Sequence, residues 1–185
     1  MDDIIEAWFA SKGWESHGFQ REVWEAQAAR EQGLIIAPTG SGKTYAAMSE
    51  TLATAVLNEK EGQIAAGVQL IWIAPIRALT KEIKASAERM VMGFGLDWKV
   101  STRTGDSTAA EKAKQRNALP QILITTPESL HVLLAMKGSE KRFSTLKCLV
   151  VDEWHELLGT KRGVQVELAA AWLRKIAGQP IVWGI

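Results

Sequence analysis

An α/β fold, with a mainly parallel sheet covered by helices on both faces, is predicted by three features of the sequence. Continuous apolar runs recur along the chain, and helix-forming segments separate them. Strands that are apolar throughout, joined by helices, belong to a sheet buried on both faces. A glycine-bearing loop, Pro38-Thr39-Gly40-Ser41-Gly42-Lys43-Thr44, joins the first apolar run to a helix. Two carboxylates, Asp152 and Glu153, close a later apolar run, at the strand end where open α/β sheets keep their working groups.

The elements follow in order. Helices near Ile4–Ala10 and Arg21–Glu31 precede a first strand at Leu34–Ala37, whose Leu34-Ile35-Ile36 reads as buried. A helix at Lys43–Leu57, a strand at Leu70–Ala74 and a helix at Arg77–Val91 come next. That last helix sets Ile76, Leu79, Ile83, Ala87 and Met90 on one stripe, a core face. Strands at Lys99–Thr102, Ile122–Thr125, Leu146–Asp152 and Ile181–Ile185 alternate with helices at Thr108–Asn117, Glu128–Met136 and Val164–Ile176. The charged segments Glu59–Gln63 and Lys137–Ser144 are expected to be mobile loops. Of eight tryptophans, Trp72, Trp172 and Trp183 read as core. The sequence stops inside a strand-like run, which predicts a piece cut from a longer protein.

Composition bounds the function. A chain of 185 residues suits one domain with a full core. A net charge of +1 supplies no bulk field for nucleic acid, so any such contact needs a local patch. The lone cysteine, Cys148, lies in an apolar strand and reads as a small core residue. It has no partner for an internal disulfide, which fits a reducing cytoplasm. No apolar run is long enough to span a membrane, and the acidic N-terminus carries no signal-peptide pattern.

The loop at residues 37–44 carries the chemistry. Backbone N–H groups of such a loop and of the following helix point at an anion and cradle the phosphates of a nucleotide. Lys43 brings a mobile cation to the outer phosphates, and the Thr44 hydroxyl is placed to ligate Mg²⁺. Ala37 stands where the common form has glycine. Glycine turns elsewhere merely redirect the chain; the Lys-Thr pair between a strand and a helix sets this one apart. Asp152 would hold Mg²⁺ through water, and Glu153 would orient or deprotonate the water that attacks the γ-phosphate. Two carboxylates alone also fit a capped surface helix, but with the loop they indicate hydrolysis. A kinase fits less well, because Glu153 suits water activation and no acceptor site is apparent.

Five ordered segments extend this reading. They are Gly18-Phe19-Gln20-Arg21-Glu22-Val23-Trp24, Ala74-Pro75-Ile76-Arg77-Ala78-Leu79, Arg103-Thr104-Gly105-Asp106, Thr125-Thr126-Pro127-Glu128-Ser129-Leu130, and Asp152-Glu153-Trp154-His155-Glu156-Leu157, with Lys161-Arg162-Gly163 behind the last. Their order and spacing resemble the superfamily 2 DEXH-box helicases, and more narrowly the Lhr-type group that includes the bacterial ligase-associated DNA helicases. The resemblance implies that residues 1–185 are the first, N-terminal RecA-like P-loop NTPase domain. The chain would end before a Ser-Ala-Thr motif that Trp183-Gly184-Ile185 approaches. A second RecA-like domain with its arginine finger, and winged-helix and later domains, would lie outside it. The family strand order puts the final strand between those before Ala37 and Asp152.

The resemblance also assigns roles. Gln20 would read adenine, accepting from the N6 amine and donating to N7, with Phe9, Trp14 or Phe19 stacking on the base. Arg77 and Thr126 fall on motifs that touch the backbone of the tracked strand, and Arg103, Lys161 and Arg162 would extend the same patch. His155 would join Lys43, Asp152 and Glu153 and couple hydrolysis to strand movement. His17 and His131 have no partners spaced for metal or nucleophilic catalysis. ATP and Mg²⁺ are the implied cofactors. Single-stranded DNA, tracked 3′ to 5′, is the implied partner, with DNA ligase and nuclease partners in repair. An RNA helicase and an ATP-gated nucleic-acid remodeller without unwinding are the alternatives.

Overall fold

Six parallel strands form one sheet in the computed structural model, which describes residues 1–185. They are β1 (Gly33–Leu34), β2 (Leu70–Ile73), β3 (Val100–Arg103), β4 (Ile122–Thr125), β5 (Cys148–Val151) and β6 (Ile181–Gly184). The order across the sheet is β1-β6-β5-β2-β4-β3. The last strand therefore lies between the strand that leads into the glycine loop and the strand that leads to Asp152, as expected. Nine helices connect and cover the sheet: α1 (Asp2–Ser11), α2 (Gly18–Ala28), α3 (Lys43–Lys60), α4 (Leu79–Gly93), α5 (Ala109–Asn117), α6 (Pro127–Leu134), α7 (Ser139–Phe143), α8 (Trp154–Leu157) and α9 (Lys161–Ile176).

The central strands β2, β4 and β5 are buried at every residue, which is why their sequences read as unbroken apolar runs. Alternate residues serve opposite faces. Leu70, Trp72, Ile122, Ile124, Cys148 and Val150 pack against apolar side chains of α1, α2, α3 and α4. Ile71, Ile73, Leu123, Leu149 and Val151 pack against those of α6, α7 and α9. Burial pushes the Cys148 thiol up to about 12, as a core residue requires. No helix is long and apolar enough to cross a membrane.

Several expectations need correction. The run Leu34–Ala37 is not a buried strand: Leu34 is 51% and Ile36 86% exposed. β1 is an edge strand, paired only to β6, with no further strand on its outer side to flank the Leu34 and Ile36 side chains. Pairing stops soon after Ile35, whose N–H donates to the Gly184 carbonyl at 2.9 Å. Gly33 is required there because a Cβ would meet the Trp183 ring at 2.8 Å. Trp172 is 37% exposed, since the inward stripe of α9 is Val166, Ala169 and Leu173. Its ring instead carries the Lys175 ammonium 5.3 Å from its centre. Ile76 is exposed because α4 begins only at Leu79.

The segment expected to be a mobile loop at Lys137–Ser144 contains α7, and its Phe143 is fully buried. A single aromatic anchor fixes a segment whose other residues are mostly charged. Truncating a buried phenylalanine costs about 3–5 kcal/mol. Phe143→Ala should lower stability by about that amount in urea unfolding; a loss under about 1 kcal/mol would mean that α7 is not docked.

Candidate nucleotide-binding site

The glycine loop leaves the sheet after Ile35 and turns into α3. Gly40 and Gly42 have φ of +80° and +86°, in the left-handed region that side chains disfavour. At Gly42 a Cβ would also lie 2.6 Å from Gln20 Nε2. α3 has no side-chain cap, so its first N–H groups face the loop. Lys43 Nζ donates to the Ala37 carbonyl at 2.7 Å and lies across the loop.

Gln20 is 1% exposed and joins α2 to this loop. Its Oε1 accepts from the His17 N–H at 2.9 Å, completing the α2 capping box, and its Nε2 donates to the Gly42 carbonyl at 3.2 Å. The second Nε2 hydrogen and the second Oε1 lone pair are what remain for a base. Gln20 lines a pocket of about 190 Å³ with Phe9, Trp14, Gly40, Gly42 and Tyr45. Of the three aromatic candidates, Phe9 lines the pocket as a buried residue and Trp14 is 43% exposed on its wall. Phe19 lies elsewhere, in the groove beside β1 with Trp183.

A second cleft, of about 390 Å³, opens on the other side of the loop. It is lined by Lys43, Thr44, Glu82, Asp152 and Glu153 among others, so the loop and the carboxylates meet although they are a hundred residues apart in sequence. The Asp152 N–H donates to the Ile73 carbonyl at 2.9 Å and continues the β5–β2 ladder. Its Oδ2 accepts from Trp72 Nε1 at 3.1 Å, and its Oδ1 accepts from the Glu153 N–H at 3.0 Å. Burial raises the Asp152 carboxyl above its ordinary range; the Trp72 indole opposes this, the Glu153 charge adds to it, and the Glu153 N–H and Lys43 oppose it. Glu153 has φ 49° and ψ 45°, a left-handed backbone costing about 1–2 kcal/mol for a residue with a Cβ. This turn starts α8 and sets Glu153 Oε2 3.5 Å from His155 Nε2. The His155 side chain is 69% exposed and also lies 3.4 Å from Glu156. The hydroxyl of Thr44 and the carboxylate of Asp152 are hard oxygen donors in one cleft, a donor set that fits Mg²⁺.

The strand ends beyond this cleft form a charged rim, and the structure divides the predicted contacts. Arg77 is exposed and pairs with Asp106 at 3.0 and 3.2 Å. Arg162 pairs with Glu128 at 2.6 Å and donates to the Pro75 carbonyl at 3.1 Å. Lys161 is exposed beside it at the start of α9. Burial pushes the Glu128 carboxyl up, but its own N–H, Arg162 and Thr126 outweigh this and leave it lowered. Arg103 does not belong to the rim: it is 4% exposed, with Nη1 3.4 Å from Gln115 Oε1 under α5. Its pKa is lowered by burial and by Arg116. Thr126 is 3% exposed, and its hydroxyl caps α6 by accepting from the Ser129 N–H. That leaves the hydroxyl no free face toward a strand. His131 Nε2 lies 2.6 Å from the Gln165 carbonyl and joins α6 to α9. Sequence reasoning missed Glu82, which looks like any solvated helix charge, and the hydrogen bond from Trp72, which it took for core alone.

A family model described as DEAD/DEAH box helicase matches residues 17–182. The chain is 33% identical to the ATP-dependent helicase Lhr-Core protein 2 of Thermococcus barophilus, over all of this chain and 23% of that protein. It is 31% identical to the Lhr helicase/uracil glycosylase of Escherichia coli, over 88% of this chain and 11% of that protein. It therefore spans under a quarter of the length of these relatives. Among solved structures, the Mycobacterium smegmatis helicase Lhr bound to ssDNA and AMP-PNP superposes with a TM-score of 0.85 at 26% identity, over 98% of this chain and 24% of that one. The DUF1998 helicase MrfA bound to DNA and AMPPNP has a TM-score of 0.83 at 24% identity, over 100% of this chain and 26% of that one, a likeness of fold. A glycine loop and an Asp-Glu pair lining one cleft, on a sheet with this strand order and with these relatives, mean that the chain belongs to the DEAD/DEAH box helicase family, on its Lhr-type side.

Proposed function

We propose that the chain is the first RecA-like domain of an ATP-driven helicase or translocase that moves along single-stranded DNA. The carrying observation is the single cleft that unites Lys43 and Thr44 with Asp152 and Glu153. Loop and α3 N–H groups hold the phosphates, and Lys43 exchanges the Ala37 carbonyl for a phosphate oxygen. Thr44 and Asp152 would hold Mg²⁺, which supplies charge neutralisation on the transferred phosphoryl group. Glu153 orients the attacking water and takes its proton as ADP and phosphate separate. Trp14 and Gln20 contact the adenine. His155, beside Glu153, carries the state of that carboxylate to a second RecA-like domain. That domain would add an arginine to the γ-phosphate, and domains further along the parent would complete the strand path.

Arg77, Lys161 and Arg162 hold strand phosphates on the rim, the two arginines exchanging Asp106 and Glu128 for them. Exposed pairs of this kind contribute about 0–1 kcal/mol each, so the exchange is cheap. Lhr of Mycobacterium smegmatis is bound to ssDNA in its structure, which supports DNA as the strand. A ribose 2′-OH contact would instead mark an RNA helicase. The resemblance to ligase-associated helicases supports a cytoplasmic role in DNA repair with ligase and nuclease partners.

Lys43→Ala should remove detectable binding of a fluorescent ATP analogue, while Glu153→Gln should keep that binding and lose steady-state hydrolysis in the full-length parent. Equal loss of binding in both would refute this division of roles. Trp14→Ala should weaken ATP affinity about 5- to 150-fold, since a base stacked on an aromatic contributes about 1–3 kcal/mol; Phe19→Ala should leave it unchanged. Equal effects of the two would move the adenine elsewhere. The 185-residue chain alone should hydrolyse ATP about 10³–10⁵-fold more slowly than the parent with saturating single-stranded DNA, the usual contribution of an arginine finger, or about 4–7 kcal/mol. Similar turnover in the two would sink the shared-site reading, and stimulation of the parent by RNA rather than DNA would turn it to the RNA alternative.

A further inference from the structure

Trp8, Trp24 and Trp98 are buried with indole N–H groups that lack a partner. Trp72, 1% exposed, differs from them: its Nε1–H reaches Asp152 Oδ2. Strand register produces the contact. Trp72 stands opposite Val150 in the β2–β5 ladder, and Asp152 follows two residues later on the same face of the sheet. The indole leans one side-chain repeat along the sheet, so its ring packs in the core while its N–H meets the carboxylate at the core's rim. A leucine or valine would fill the same apolar layer and offer no donor.

The second oxygen of Asp152 is also held, by the N–H of Glu153. A carboxylate has about four lone-pair directions on two oxygens. With one fixed donor on each oxygen, rotation of the group is blocked and one lone pair on each remains for the cleft. We propose that Trp72 is a positioning residue for Asp152, holding the carboxylate in the one orientation that serves Mg²⁺–nucleotide beside Thr44. A contact made through a metal-bound water is sensitive to that orientation, because the water's hydrogen must meet a lone pair. Groups that orient a metal-binding side chain from behind typically contribute 10–100-fold in metal affinity. The inference rests on the reading of Asp152 as the metal-side carboxylate.

The test replaces Trp72 in the 185-residue chain with 3-benzothienylalanine, which keeps the ring shape and puts sulfur where the N–H stands. Trp72→Phe serves as the genetically encoded counterpart. Binding of N-methylanthraniloyl-ADP is titrated against Mg²⁺ and repeated in EDTA, with thermal melting alongside. The Mg²⁺ concentration for half-maximal enhancement should rise about 10–100-fold, while affinity in EDTA and the melting temperature of the benzothienyl variant stay at wild-type values. An unchanged Mg²⁺ dependence overturns the proposal, and so does an equal loss with and without Mg²⁺, which a packing role alone would give. Asp152→Asn separates the two levels. If it alters the Mg²⁺ dependence and the Trp72 variants do not, only the positioning role fails. If Asp152→Asn has no effect, or the wild type shows no Mg²⁺-dependent binding, the reading of Asp152 fails and takes the inference with it.

Discussion

The insertion of β6 between β1 and β5 is the constraint on which the site depends. The glycine loop begins just after β1 and the carboxylates just after β5, so the two halves are held two strand spacings apart, roughly 9–10 Å. The ladder is continuous up to the site. Ile35 donates to Gly184, Ile185 donates to Val151, and Trp154 donates to Ile185. Gly184 permits this closeness, because a Cβ there would meet Leu34 at 2.8 Å and Trp154 at 3.5 Å. The segment after Gly184 thus borders both halves, and Ile185 itself lines the cleft.

Around that frame three of the cationic groups are already partnered within the chain. Lys43 is held by a loop carbonyl, Arg77 by Asp106 and Arg162 by Glu128. The rim is therefore close to neutral by itself, in keeping with a net charge of +1. Any attraction it exerts on a polyanion is short in range and sensitive to salt.

The sequence made the phosphate loop and the Asp-Glu pair legible because local backbone demands write them directly: glycine where φ is positive, Lys-Thr at a helix start, carboxylates at a strand end. The strand order came from resemblance, since periodicity says nothing about which strands are neighbours. What escaped was decided by tertiary context. Leu34 and Ile36 are as apolar as any core residues, but only the sheet order reveals that they lie on an edge. Arg103 and Thr126 sit at the expected strand ends, yet their side chains turn to Gln115 and Ser129. Phe143 anchors a segment whose charged neighbours suggested a loop. Trp72 was rightly taken as core, but a core assignment hides what its N–H does.

The pairing of Gly33 with Trp183 also has a consequence for biosynthesis. Parallel strands distant in sequence close late, because the entropy of the intervening chain must be overcome first. β1 emerges from the ribosome early, and its neighbour β6 exists only after residues 181–184 have been made. In the interval Leu34, Ile35 and the open edge of β1 have no strand to pair with, a condition that invites association between nascent chains. The glycine loop is among the first parts of the cleft to be synthesised and among the last to be held in place.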